Sequence, residues 1–225
     1  MKAEWIVRDG RQDLLLFFNG WGMDRRTAEW MASAAQAPSR HDLVVAYDYR
    51  DIALPEWLRA EMEKYRSVQL VAWSLGVWAA LHAGLEGIGR AVAINGTPFP
   101  VDPTRGIPPV IFQGTLDNWS DATRNRFERR MFAGSEHDVR LDAVRSLRSS
   151  AEQKEELRSI AVAVAGEDTG QASSWSFSKA VIGGRDLVFP PENQHVAWRG
   201  TDTVLIGEMP HFPFFHHAGW EEILS

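Results

Sequence analysis

Short apolar runs, each closed by turn-forming residues, constrain this chain more than any other feature: "DLLLFFNG" (13–20), "DLVVAYDY" (42–49), "VQLVAWS" (68–74), "RAVAING" (90–96), "KAVIGGRD" (179–186) and "TVLIGEMP" (203–210). Runs without polar alternation read as strands buried on both faces. Helix-like stretches lie between the early runs, "MDRRTAEWMASAAQ" (23–36) and "PEWLRAEMEKY" (55–65), and "SLGVWAALHAGL" (74–85) follows the third. Strand and helix therefore alternate, which predicts an α/β fold: a mostly parallel central sheet with helices on both faces. With 225 residues, 44% of them hydrophobic, the chain has material for one sizeable core, so a single domain over 1–225 is expected.

The alternation breaks between about 117 and 165. There the sequence turns charged and helical, as in "DNWSDATRNRFERRMF", "VRLDAVRSLRSS" and "AEQKEELRSIAVAVAG", before the strand pattern resumes. The expected organisation is a core of 1–116 and 166–225 with a helical lid inserted at about 117–165. Such an insertion would lie over the carboxyl ends of the strands, where open α/β sheets bind ligands.

Composition excludes several classes of function. Without cysteine there is no disulfide, thiol nucleophile or thiolate metal site, which suits a reducing cytoplasm. A net charge of −6 argues against general nucleic-acid binding, which requires a surplus of Lys and Arg at the phosphates. Glu4, Arg8 and Asp9 interrupt the opening as a signal peptide, and no apolar run reaches the roughly 18 residues of a membrane span. A soluble, cytoplasmic monomer is the expectation.

In "LVAWSLGVWAA" (70–80) a single hydroxyl, Ser74, stands at the junction of a strand and a helix. A serine becomes an exposed nucleophile on a sharp strand-to-helix turn when small residues flank it two positions away. Ala72 and Gly76 meet that need, with Ala where Gly is usual; an ordinary helix N-cap is the bland alternative. A serine nucleophile needs a base, and the base an orienting acid. In the α/β hydrolases these follow in the order Ser, Asp or Glu, His, each after a strand. Asp186 directly follows "AVIGGR" and His211 directly follows "VLIGEMP". Asp102 and Asp117 compete as the acid, and a plain turn cap is the alternative role for Asp186. His195, His216 and His217 follow no strand, and no ligand set supports a metal. The oxyanion of acyl transfer needs donors. The backbone N–H of Leu75, next after the nucleophile, and that of Trp21, in the glycine-rich "NGWGMD" turn after the first run, are the candidates.

"FFNGWGMD", "VAWSLGVWAA", "AINGTPFPVD", "GIPPVIFQGTL", "RNRFERRMF" and "MPHFPFF" together resemble the compact BioG-type pimeloyl-acyl carrier protein methyl ester esterases, members of the α/β hydrolase superfamily. "GWG" and the His-x-Pro-Phe segment are also similar to the larger BioH-type esterases, whose first segment usually begins with His where this chain has Asn19. The resemblance implies hydrolysis of the methyl ester that masks the far end of a pimeloyl chain on acyl carrier protein, in biotin synthesis. Ser74 would attack the ester carbonyl, His211 would shuttle the proton and Asp186 would hold the imidazole. No cofactor is implied.

Helical spacing in "ATRNRFERRMF" places Arg126, Arg129 and Arg130 on one face and Phe127 and Met131 on another. Acyl carrier protein is acidic, as is this chain, so docking requires a local basic face such as that arginine stripe. Acids at Glu128, Glu136, Asp138 and Asp142 dilute it. Among the aromatics that might line an apolar channel (Trp73, Trp78, Trp119, Trp175, Phe127, Phe214 and Phe215), Trp73 and Phe127 are the candidate substrate contacts.

Overall fold

In the computed structural model, which describes residues 1–35, 39–133, 139–166 and 173–225, the apolar runs become strands and one further strand precedes them. These are β1 (Lys2–Val7), β2 (Asp13–Phe18), β3 (His41–Tyr47), β4 (Ser67–Trp73), β5 (Ile88–Ile94), β6 (Lys179–Arg185) and β7 (Asp202–Pro210). The helices are α1 (Arg26–Ala34), α2 (Glu56–Met62), α3 (Leu75–His82), α4 (Pro109–Asp117), α5 (Asp121–Met131), α6 (Leu141–Val144), α7 (Ser150–Ala165), α8 (Pro191–Ala197) and α9 (Trp220–Leu224). The strands form one sheet in the order β1-β3-β2-β4-β5-β6-β7, with only β1 antiparallel to its neighbour.

Side chains alternate across a strand, so a continuous apolar run feeds a core on each face. In β2, Leu14, Leu16 and Phe18 enter one cluster while Leu15 and Phe17 enter the other. Each such side chain contributes roughly 1.5–3 kcal/mol on burial, so the central strands anchor the sheet and fix where their ends lie.

Two strands depart from the expectation. β1, with Lys2 and Glu4 among its apolar residues, is half-exposed at one edge and lacks a continuous apolar run. β7 occupies the other edge, and Val204 and Leu205 are 39% and 55% exposed, so "TVLIGEMP" is not buried on both faces. Burial begins only at Met209 and Pro210, where the strand turns inward.

The helices inserted between β5 and β6 begin at Pro109 rather than near 117. Pro108 and Pro109 open α4, because a proline at the first helical position gives up an N–H that would be unpaired there anyway. Capping boxes start the next long helices, Ser120 with Thr123 on α5 and Ser149 with Glu152 on α7. Glu136 and Asp138, and the expected end of the first helix at 36, lie outside the described residues. Among the described residues no helix is long and apolar enough to cross a membrane.

After β2 the chain moves to one side of the sheet to form β3 and then crosses back to form β4. Between the carboxyl ends of β2 and β4 the order therefore reverses, which opens a crevice there.

Candidate active site

Ser74 follows β4 immediately and holds φ 59°, ψ −131°, a backbone conformation that side-chain-bearing residues rarely adopt. It occupies the N-cap position of α3, yet its hydroxyl makes no capping bond. Instead Ser74 Oγ lies 3.0 Å from His211 Nε2. The flanking positions explain how the turn is tolerated. A Cβ on Gly76 would come within 2.5 Å of the Phe18 and Asn19 carbonyls, so only glycine lets α3 pass so close to the end of β2. Ala72 sits two residues before the serine, fully buried in β4 between Phe18 and Ala93, where its methyl is accommodated.

Asp186 follows β6 directly and His211 follows β7 directly. His211 Nδ1 contacts Asp186 Oδ2 at 2.9 Å, and both side chains are buried. Asp186 Oδ1 also accepts the N–H groups of Val188 and Phe189 at 2.8 and 2.9 Å, so this carboxylate closes its own turn while facing the imidazole. Asp102 is engaged with Thr104 and Arg105, and Asp117 accepts from Gln113, so neither reaches His211.

Bringing β7 to the nucleophile requires its end to cross over β6. A Cβ on Gly183 would meet the Met209 carbonyl at 2.5 Å, so the glycine in "VIGGRD" clears that path. Asn95, at the end of β5, fastens the arrangement: its Nδ2 donates to the Pro210 and His211 carbonyls at 2.8 and 3.0 Å, and its Oδ1 accepts the Gly183 N–H at 2.7 Å. Trp73 Nε1 donates to the same His211 carbonyl at 2.8 Å. Gln194 on α8 donates to Asp186 Oδ2 at 3.0 Å. Sequence reasoning missed Asn95 and Gln194, because nothing in their own segments marks what they touch.

A pocket opens over Ser74 and His211. Trp21, Leu75, Trp73, Phe127 and Arg130 line it, and Ile107, Ile111, Leu157 and Val188 make its walls largely apolar. Of the aromatics named from sequence, Trp73 and Phe127 are the ones that reach it. Trp78, Phe214 and Trp175 belong to the packed clusters, Phe215 packs at the edge of one, and Trp119 stacks edge-on against Trp21 at 4.5 Å between ring centroids. The indole N–H of Trp73 is committed to His211 rather than offered to the pocket. Neither the Trp21 nor the Leu75 backbone N–H is used by the turn and loop hydrogen bonds among the described residues.

The arginines border different hollows. Arg126 and Arg130, one helical turn apart, border an adjoining groove between α4 and α5, and Arg130 also lines the pocket above Ser74. Arg129 faces another hollow beside Leu141 and Arg145. None of the three pairs with a carboxylate among the described residues. Burial, and then the charge of Arg126, lower the pKa of the Arg130 guanidinium. Among the described residues no cluster of His, Asp or Glu suits a metal ion.

Sheet order and the sharp turn from β4 into α3 are those of the α/β hydrolase fold. The chain belongs to the family described as pimeloyl-ACP methyl esterase BioG, whose model matches residues 1–223. A crystal structure of BioG from Haemophilus influenzae superposes with a TM-score of 0.87 at 31% identity, covering 100% of both chains. A Bacteroides fragilis (strain 638R) protein named malonyl-[acyl-carrier protein] O-methyltransferase is 40% identical over 195 residues. That match takes in 84% of this chain but spans only 37% of the relative's length. A lipase-esterase related protein from Clostridium acetobutylicum, at 11% identity and TM-score 0.61 over 94% of this chain and 92% of its own, shares the fold alone.

Proposed function

We propose that the protein is a serine esterase that removes the methyl group from pimeloyl-[acyl-carrier protein] methyl ester, releasing methanol and the free acid for biotin synthesis. The observation that carries the chemistry is the hydrogen-bonding line from Ser74 Oγ through His211 to Asp186, at 3.0 and 2.9 Å. His211 Nε2 takes the serine proton as Oγ attacks the ester carbonyl, then delivers it to departing methanol. Asp186 keeps Nδ1 protonated, so that Nε2 is the free base. The Leu75 N–H, at the amino end of α3, and the Trp21 N–H receive the negative charge that develops on the carbonyl oxygen. Water activated by the same imidazole then frees the acid from Ser74.

The substrate class rests on the family and on the pocket. Apolar walls suit a methylene chain. The helices from Pro109 to Ala165 form the lid, and the groove between α4 and α5 leads outward past Arg130 and Arg126. Two arginines at that exit, without carboxylate partners among the described residues, favour an acidic carrier, against the repulsion of a chain with net charge −6. Arg129, which borders the hollow beside Leu141 and Arg145 instead, would contribute only to long-range attraction.

The test compares the carrier-bound methyl ester with free dimethyl pimelate for the wild type and for Arg126→Ala/Arg130→Ala. The double variant is expected to raise KM for the carrier-bound ester at least fivefold at low salt, an effect that shrinks as salt screens the charges, and to change KM for the free ester, whose pocket Arg130 also lines, much less. Equal losses on both substrates would remove the docking role, and equal wild-type turnover of both would remove the carrier as preferred substrate.

A further inference from the structure

The loop that carries Trp21 is held from two sides, and its Trp21–Asp24 half from the lid. Its Gly22 N–H donates to Glu156 Oε2 at 3.1 Å, and its Gly22 carbonyl accepts from Gln153 Nε2 at 2.8 Å. The Trp21 indole donates to the Gln153 carbonyl at 2.7 Å. One residue further on, the Met23 carbonyl accepts from Arg148 at 3.3 Å, and Asp24 Oδ2 accepts the Leu147 N–H at 2.7 Å. From the sheet side, Tyr49 donates its hydroxyl to the Asn19 carbonyl at 2.6 Å, and the Asn19 side chain spans the loop, accepting the Gly20 N–H and donating to the Asp24 carbonyl. The Trp21 backbone N–H has no acceptor among the described residues, and Trp21 lines the pocket over Ser74.

Glu156 is the centre of this fastening. It is fully buried on α7, and its second oxygen accepts the Tyr49 N–H at 2.9 Å. Arg148 reaches Glu156 Oε2 at 2.6 Å and lies 3.1 Å from Asp48, which Arg50 also holds at 2.6 Å. Burying this many charges is costly unless each finds its partner, and a general core would be served as well by apolar side chains. What apolar side chains would not do is fix the main chain of the loop. Gly22 stands at φ +74°, and a Cβ there would press against Gln153, so the turn has little freedom once α7 is seated.

We propose that Glu156 is a positioning residue that, with Gln153, holds the 19–24 loop so that the Trp21 N–H meets the developing oxyanion; this rests on the esterase reading of Ser74. The lid helix then does more than cover substrate, since part of the charge-stabilising machinery is assembled only where α7 docks.

The test uses p-nitrophenyl acetate turnover together with affinity for a trifluoromethyl ketone, which adds Ser74 to form a tetrahedral oxyanion. Glu156→Gln keeps the shape but loses an acceptor, and Gln153→Leu removes the donor to Gly22 while sparing the main-chain contact to Trp21. Each variant should lose about 10- to 100-fold in kcat, short of the 10²–10³ of a deleted oxyanion donor, with KM within about twofold of wild type. Ketone affinity should weaken by the same factor, while binding of acetate, which develops no such charge, should not change. A merely structural role would lower melting temperature or active fraction and leave the ratio of ketone to acetate affinity as it was. If Glu156→Gln does not fold, Gln153→Leu decides the matter. Folded variants with wild-type kcat and ketone affinity would overturn the proposal. Wild-type turnover by Ser74→Ala would instead overturn the esterase reading beneath it.

Discussion

Asn95 joins the ends of β5, β6 and β7, and replacing it with alanine removes three hydrogen bonds from a site closed to water. The Gly183 N–H and the Pro210 carbonyl lose the partner they have in Asn95, at about 1–3 kcal/mol for each buried group left unpaired. The His211 carbonyl loses less, because Trp73 still donates to it. Asn95 also stands at φ 46°, a left-handed conformation that costs alanine about 1–2 kcal/mol. With some relaxation of the loop, a total near 4 kcal/mol is expected, which for a chain of this size is a fall of roughly 8–16 °C in melting temperature. Thermal unfolding followed by circular dichroism measures it. Asn95→Asp should be at least as damaging, since it keeps the acceptor for Gly183 but turns a second oxygen toward two carbonyls. Ester turnover should fall as well, because His211 then hangs from one anchor rather than two. A melting temperature within about 3 °C of wild type for both variants would refute the reasoning that these bonds hold the strand ends together.

Gln194→Leu removes a donor from Asp186, leaving that carboxylate freer to rotate away from His211. Its kcat on a simple ester should drop about three- to tenfold with KM unchanged, and a change confined to KM would contradict this. Asp48 predicts the response to acid. Burial opposes its charge, but the Arg50 hydrogen bonds and the charges of Arg148 and Lys2 outweigh it and hold the carboxyl below its ordinary range. The unfolded chain therefore binds the proton first as pH falls. The stabilisation is complete above pH about 4 and is lost as pH drops through the lowered value. Denaturant titrations from pH 6 to 3 should show Asp48→Asn less stable than wild type at pH 6, with the difference shrinking as pH falls below about 4; a constant difference would contradict the linkage.

Ser74, Asp186 and His211 were legible in the sequence because each ends an apolar run, and in a parallel sheet the ends of such runs converge on one edge of the crevice. The flanking strands were less legible. Whether a run such as "TVLIGEMP" is buried on both faces depends on what lies beside it, and among the described residues β7 has no strand on its outer side. The start of the inserted helices at Pro109 was hidden in an apolar stretch that lacks the charges marking the later helices. The arginines were spaced correctly for a helix, but the packing of α5 decides which of them look into the pocket, and Arg129 does not. Least legible were Asn95, Gln194, Gln153 and Glu156, ordinary polar residues in loops and helices. Glu156 meets Gly22 across 134 positions of chain, and no local pattern encodes such a pairing.

The central claim is tested most directly by the mass of methyl-pimeloyl carrier protein after incubation with this enzyme. The account predicts conversion to the species lacking the methyl group, with the thioester to the carrier intact, and no conversion by Ser74→Ala. An unchanged carrier with folded wild-type enzyme, or equal conversion by Ser74→Ala, would contradict it.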